Sequence, residues 1–213
     1  MATVSHPLEL PEQKVILEGV SWETYERLLA EHPESCGTRF IYDRGMLEIM
    51  VVSARHERPN RTLALLVEVL AEEWDLDIEW LGSTTFKRKD LLKGFEPDSC
   101  FYIKNADAIR EKEKLDLRVD PPPDLVIEID ITSLSLDRFP IFAAVGVPEV
   151  WRYDGEQVGM FRLRGKRYVK AQRSANFPRL TGEAATRFLR ERKELKSTAW
   201  LRRLRAWART QGK

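Results

Sequence analysis

The run Pro121-Pro122-Pro123-Asp124-Leu125-Val126-Ile127-Glu128-Ile129-Asp130-Ile131 decides how this chain folds. Three consecutive prolines exclude a helix and deliver the chain in extended form to Asp124 and beyond. From there the residues alternate as a strand does. Leu125, Ile127, Ile129 and Ile131 face one side, and Asp124, Val126, Glu128 and Asp130 face the other. A carboxylate in the middle of an apolar strand is costly unless it is paired, hydrogen-bonded or bound to a metal. Glu128 therefore needs a partner.

Upstream, Glu96-Pro97-Asp98 leads into Ser99-Cys100-Phe101-Tyr102-Ile103, a second short strand. If the two strands lie side by side, Asp98 and Glu128 can converge on one divalent cation, which takes oxygen ligands and leaves positions open for water and phosphate. The segment between them is highly charged, with a short surface helix expected near Ala106–Glu113.

Further upstream, Val15-Ile16-Leu17 reads as a strand and Ser21 as the N-cap of a helix whose buried face is Trp22, Tyr25, Leu28 and Leu29, ended by His32-Pro33 and Gly37. Arg39–Tyr42, Asp43-Arg44-Gly45 and Met46–Met50 form a β-hairpin, with Glu48 among apolar neighbours either as a third acidic group or as an outward strand charge. A long helix from about residue 54 to Trp74 carries the stripe Leu63, Leu66, Val67, Leu70 and Trp74. His56 lies one heptad before Leu63, hence on the inner face, as a structural or a catalytic histidine. Asp77–Leu81 and Thr84–Arg88 read as a hairpin around Gly82-Ser83. Lys87, Arg88, Lys89 and Lys93 then form a basic cluster, either a solvated face or a phosphate-attracting one.

Downstream, Ser133–Ser135 can cap a helix running to about Val145 with Pro140 in its first turn, stopped by Gly146 and Pro148. A three-stranded meander comes next over Glu149–Tyr153, Val158–Leu163 and Tyr168–Lys170. A final basic amphipathic helical region covers about 183–213, its helix running from Glu183 to Trp207 and suited to docking on the core, a partner, a membrane surface or nucleic acid.

Apolar residues at 43% and charged residues at 32% indicate an ordinary globular protein, most simply one domain over 1–213 with a loose arm over 1–12. The net charge of +1 gives no overall nucleic-acid signature, so any basic surface must be local. Two cysteines, Cys36 and Cys100, give no disulfide framework and point to a reducing compartment. With no apolar run of spanning length and no signal-like N-terminus, the expected location is cytoplasmic.

Taken in order, Asp43-Arg44-Gly45, Leu47-Glu48-Ile49-Met50, His56-Glu57, Glu96-Pro97-Asp98, the Pro122–Asp130 run and Gly146-Val147-Pro148-Glu149-Val150-Trp151 resemble the Uma-two endonuclease family of the PD-(D/E)XK, restriction-endonuclease-like superfamily. The resemblance covers roughly Ser21 to the meander. It implies an α/β fold with a mixed central sheet flanked by helices, DNA as substrate, and a divalent ion of the Mg type, with Mn as the alternative. Asp98 and Glu128 match the metal-binding acids, and Ile129 would add its backbone carbonyl. The superfamily lysine slot holds Asp130. A lysine that the family often carries four residues before an aromatic corresponds to Arg138, counting back from Phe142. Arginine stays protonated, so it can offset phosphate charge but cannot readily act as a base. Base work would fall to metal-bound hydroxide or to a carboxylate such as Asp130, with Glu48 and His56 as accessory groups. The alternative is a nuclease-fold protein that binds nucleic acid or a partner with little or no cutting. A homodimer suits cleavage of two strands.

Overall fold

The computed structural model describes residues 13–32, 37–131 and 136–211; the expected arm over 1–12 and the Ser133–Ser135 helix cap lie outside the described residues. The chain begins β1 (Gln13–Leu17), α1 (Trp22–Glu31), β2 (Thr38–Asp43), β3 (Met46–Val51) and α2 (Ala54–Glu73). Next come β4 (Glu79–Trp80), β5 (Phe86–Arg88), β6 (Lys93–Phe95), β7 (Ser99–Tyr102), α3 (Ala106–Ile109) and β8 (Leu125–Ile129). It ends with α4 (Phe139–Val145), β9 (Glu149–Tyr153), β10 (Val158–Arg164), β11 (Arg167–Ala171), α5 (Gly182–Glu194) and α6 (Ser197–Gln211).

β8 is the axis of a six-stranded mixed sheet ordered β11-β10-β9-β8-β7-β4. It pairs antiparallel with β7 and parallel with β9, the parallel step being bridged by α4. The second sheet, β1-β3-β2-β6-β5, is antiparallel throughout. The alternation read in β8 is realised in the packing. Leu125, Ile127 and Ile129 join the core beneath α2, α5 and α6, with Leu63, Leu66, Leu70, Phe188 and Trp200. Val126 faces the other core, with Val150, Ile141, Phe142 and Phe95. Each such side chain contributes roughly 1.5–3 kcal/mol by leaving water, so a polar residue on β8 is held between two apolar layers. This is the α/β architecture expected from the sequence, a mixed sheet flanked by helices, with a second sheet added beside it.

Local signals explain most element ends. Ser21 Oγ accepts from Thr24 N at 3.1 Å and Ser53 Oγ from His56 N at 3.3 Å, the N-caps of α1 and α2. Arg44 and Gly45 both have positive φ, the requirement of the two-residue β2–β3 turn. Gly94 of β6 lies against the Tyr25 ring, where any Cβ would collide with the phenol.

Two expectations need correction. Asp77–Leu81 and Thr84–Arg88 do not pair with each other: β4 joins β7 in the six-stranded sheet and β5 joins β6 in the other. Long-range partners override the turn-like Gly82-Ser83. The C-terminal region is two helices, because the chain becomes extended at Leu195 (φ −98, ψ 148). Pro140 sits in the first turn of α4, as expected. Among the described residues no helix is long and apolar enough to cross a membrane.

Candidate active site

The β7–β8 ladder is regular through Ser99↔Ile127 and then changes character. Asp98 lies just before β7, and its side chain does what a neighbouring main-chain carbonyl would do: Oδ2 accepts the Ile129 N–H at 2.7 Å. The Pro97 carbonyl accepts instead from Arg39 Nη1 at 3.0 Å, and the same guanidinium nitrogen reaches Asp98 Oδ1. His56 Nε2 lies 3.1 Å from Asp98 Oδ2. One turn along α2, Asn60 donates to the Asp98 carbonyl at 3.1 Å and accepts from Ser99 Oγ at 2.8 Å. The aspartate is thus held from β2, from α2 and from β8.

Glu128 sits one residue before Ile129 on the face of β8 that meets α4. Its Oε2 takes a bond from Arg138 Nη1. Arg138 Nη2 donates to Glu48 Oε1 at 3.1 Å, and Glu48 Oε2 accepts from Leu136 N at 2.6 Å. Glu128 Oε1 is buried with no hydrogen-bond partner, as is Arg138 Nε. The residue immediately before α4 therefore links the acids of two sheets.

Burial works to raise the Asp98 carboxyl, but the His56 bond and the Arg39 charge outweigh it and hold the group at about 2. Burial pushes Glu128 up to about 7; Arg138 opposes the rise and the Asp98 charge adds to it. Burial disfavours the charge on Arg138, yet Glu128, Asp98 and Glu48 hold it above the ordinary arginine range. Two acids on neighbouring strands are thereby driven in opposite directions, a pattern common at sites of chemistry. The three carboxylates Glu48, Asp98 and Glu128 face two guanidiniums, Arg39 and Arg138, and the His56 imidazole.

A cavity of about 490 Å³ opens beside this network, lined by Glu128, Asp130, Arg138, Phe139, Arg152 and Asp154 among others. Asp130 is half-buried at its wall. Arg138 turns away from it to Glu128 and Glu48. Glu48 and His56, both fully buried, join the site as sequence reasoning allowed. Arg39, Asn60 and Arg152 were missed. Asn60, four residues after His56 on the same helix face, carried a usable signal; Arg39 carried none.

The other candidate surfaces resolve differently. Lys87, Arg88, Lys89 and Lys93 are occupied by Glu26, Asp90, Glu23 and Asp43. In the C-terminal helices Arg203 meets Glu191, and Arg205 and Arg209 meet Glu72 and Glu73 of α2. Trp200, Leu204 and Ala208 are buried in the core, so this region docks on the protein itself.

Among the described residues no three His, Cys, Asp or Glu side chains are arranged as a complete metal cage. The oxygen set is still of the right kind for a hard cation that keeps several waters, which needs only one or two carboxylates. The buried Glu128 Oε1, with no hydrogen-bond partner among the described residues, fits such an ion. Asp98, with both oxygens already engaged, would contribute remaining lone pairs.

No curated protein matches the chain. A structure titled as a putative nuclease belonging to DUF820 from Anabaena variabilis ATCC 29413 aligns at a TM-score of 0.48 and 13% identity, covering 76% of this chain and 96% of that one. A family model described as "Putative restriction endonuclease" matches residues 22–190, and the chain belongs to that family, Uma2.

Proposed function

We propose that the chain, acting as a single cytoplasmic domain, is an endonuclease that hydrolyses phosphodiester bonds in DNA with a divalent cation, Mg or Mn. The observation that carries this reading is Glu128 Oε1, buried beside an open cavity with no hydrogen-bond partner among the described residues. Asp98 and Glu128 would hold the ion, with the Ile129 carbonyl as a third oxygen. When bound, it polarises the phosphate and lowers the pKa of the attacking water. Arg138, fixed against Glu128 and Glu48, offsets charge developing on the transferred phosphoryl group. Glu48 positions Arg138, while Arg39 and His56 fix the Asp98 carboxylate. Asp130, at the cavity wall, would accept a proton from water. A homodimer would offer one such site to each DNA strand.

A second reading, nucleic-acid binding with weak cutting, draws on the arginines. Each acid already has a guanidinium partner, and Arg138 stands where the family often has lysine. One experiment separates the two. Supercoiled plasmid is incubated with Mg or Mn, and nicking is followed for the parent, Asp98→Ala and Glu128→Ala. The nuclease reading expects metal-dependent nicking that falls at least ~100-fold in both variants. Nicking that survives in both would sink it, and DNA binding with no cutting under either metal would leave the second reading.

A further inference from the structure

A different basic surface begins at the wall of the same cavity. Between Val158 and Thr181 the chain carries Arg162, Arg164, Lys166, Arg167, Lys170, Arg173 and Arg179 and not one Asp or Glu. Most of this stretch is the β10–β11 hairpin, with β11 the outermost strand of the six-stranded sheet. Arg164, Lys166, Arg167 and Lys170 are exposed, and none has a carboxylate partner among the described residues. Arg164 and Arg167 face each other directly across the hairpin. Like charges in register weaken a hairpin, so the fold gains nothing from this arrangement.

The register ties one face of the hairpin to the cavity, that of Phe161, Tyr168 and Lys170, whereas Arg164 and Arg167 stand on the opposite face. Glu128 pairs with Arg152 on β9; on that same face, two residues along, Val150 pairs with Phe161 and Phe161 with Lys170. Arg152 lines the cavity without a carboxylate partner among the described residues. Its guanidinium lies 5.3 Å from the Phe139 ring centre and 5.5 Å from that of Phe161. Tyr168 of β11 closes the aromatic group, 4.9 Å from Phe139, the residue next to Arg138. Arginine held by stacking alone keeps its donors available for a phosphate.

We infer that Arg152, Lys170 and, at the hairpin turn, Lys166 form the track that carries the phosphate backbone of duplex DNA into the cavity beside Glu128. The inference rests on the DNA-nuclease reading for its ligand. Charge complementarity selects that ligand: a row of unpaired cations, with aromatic side chains at the cavity end, suits a regularly spaced polyanion and gives salt-dependent binding.

The test measures binding without cutting. A fluorescein-labelled DNA duplex is titrated in EDTA across a potassium chloride series with the parent, Lys166→Ala/Lys170→Ala, and Arg152→Ala. A comparison variant is Arg205→Ala/Arg209→Ala. The hairpin variant should lower the slope of log affinity against log salt by about 2, and Arg152→Ala by about 1. The comparison variant should leave the slope unchanged. The hairpin variant should keep the thermal midpoint, which separates lost contact from lost fold. An unchanged slope in the hairpin variant, or no binding by the parent even at low salt, overturns the inference. Because cutting is not the readout, plasmid nicking lost in Glu128→Ala but retained in the hairpin variant with an unchanged slope would leave the nuclease reading standing and remove this one. A lower hairpin slope with no cutting by the parent would do the reverse.

Discussion

Asp124 and Glu149 are buried as deeply as Asp98 and Glu128, at 3%, 0%, 2% and 3% exposure, but their oxygens meet different partners. Asp124 Oδ2 accepts from the main-chain N–H groups of Ile103, Lys104 and Asn105 at 2.8–3.0 Å, and Oδ1 from Asn105 Nδ2. Glu149 accepts from Ala175 N, Asn176 N, Asn176 Nδ2 and Trp151 Nε1. Every donor is neutral, and each carboxylate fastens a loop to the sheet. Around Asp98 and Glu128 the partners are chiefly guanidiniums and an imidazole, and one oxygen is left over. Burial alone does not single out a reacting group; the kind of donor, and the valence left unused, does.

The contrast can be broken most directly through stability. Asp124→Ala or Glu149→Ala strands several buried N–H donors, so each should cost roughly 3–5 kcal/mol in urea unfolding. Glu128→Gln keeps an acceptor for Arg138 and should stay within about 1–2 kcal/mol of the parent. Equal losses in all three would erase the distinction.

A smaller effect separates the two site acids by pH. Glu128 has a folded-state pKa raised above its unfolded value. Its contribution is therefore complete below the ordinary glutamate range and is lost as pH rises through about 7. Asp98 is depressed, so its contribution is present above the ordinary aspartate range and is lost as pH falls through about 2. In metal-free buffer the thermal midpoint of Glu128→Gln relative to the parent should climb between pH 5 and pH 8, by on the order of 2 kcal/mol in stability. Asp98→Asn, which removes only the part of the rise that the Asp98 charge adds, should show a smaller climb. A flat Glu128→Gln difference would mean that Arg138 fully offsets the burial.

The smallest effect expected is in the C-terminal helices. Arg205→Ala/Arg209→Ala breaks exposed pairs with Glu72 and Glu73 and should cost about 1 kcal/mol or less by thermal melting.

How far the sequence reveals this molecule depends on the range of the interaction. β8, its alternation and the isolated acids Asp98 and Glu128 are local signals, and each survives in the fold. The same holds for the β2–β3 turn and the Ser21 end of α1. Arg39 is not legible, because nothing near it in the chain announces a partner 59 residues away. The cluster at Lys87–Lys93 misleads for the same reason: its neutralising acids Glu23, Glu26 and Asp43 lie far upstream. The alternation that isolates Glu128 isolates Asp124 equally well. Only the assembled donors distinguish a loop anchor from a site residue.

The interrupted rung beside Asp98 has a use of its own. The Ile129 amide is held by a side chain that also serves the site, whereas the neighbouring Ile127 lies within the regular β7–β8 register. Ile129 is thereby a built-in reporter. Any cation or substitution that draws the Asp98 oxygen away should quicken exchange of that one hydrogen for deuterium, while Ile127 two residues back keeps its protection. Site occupancy could then be followed in solution from a single backbone resonance, without a substrate or a cutting assay.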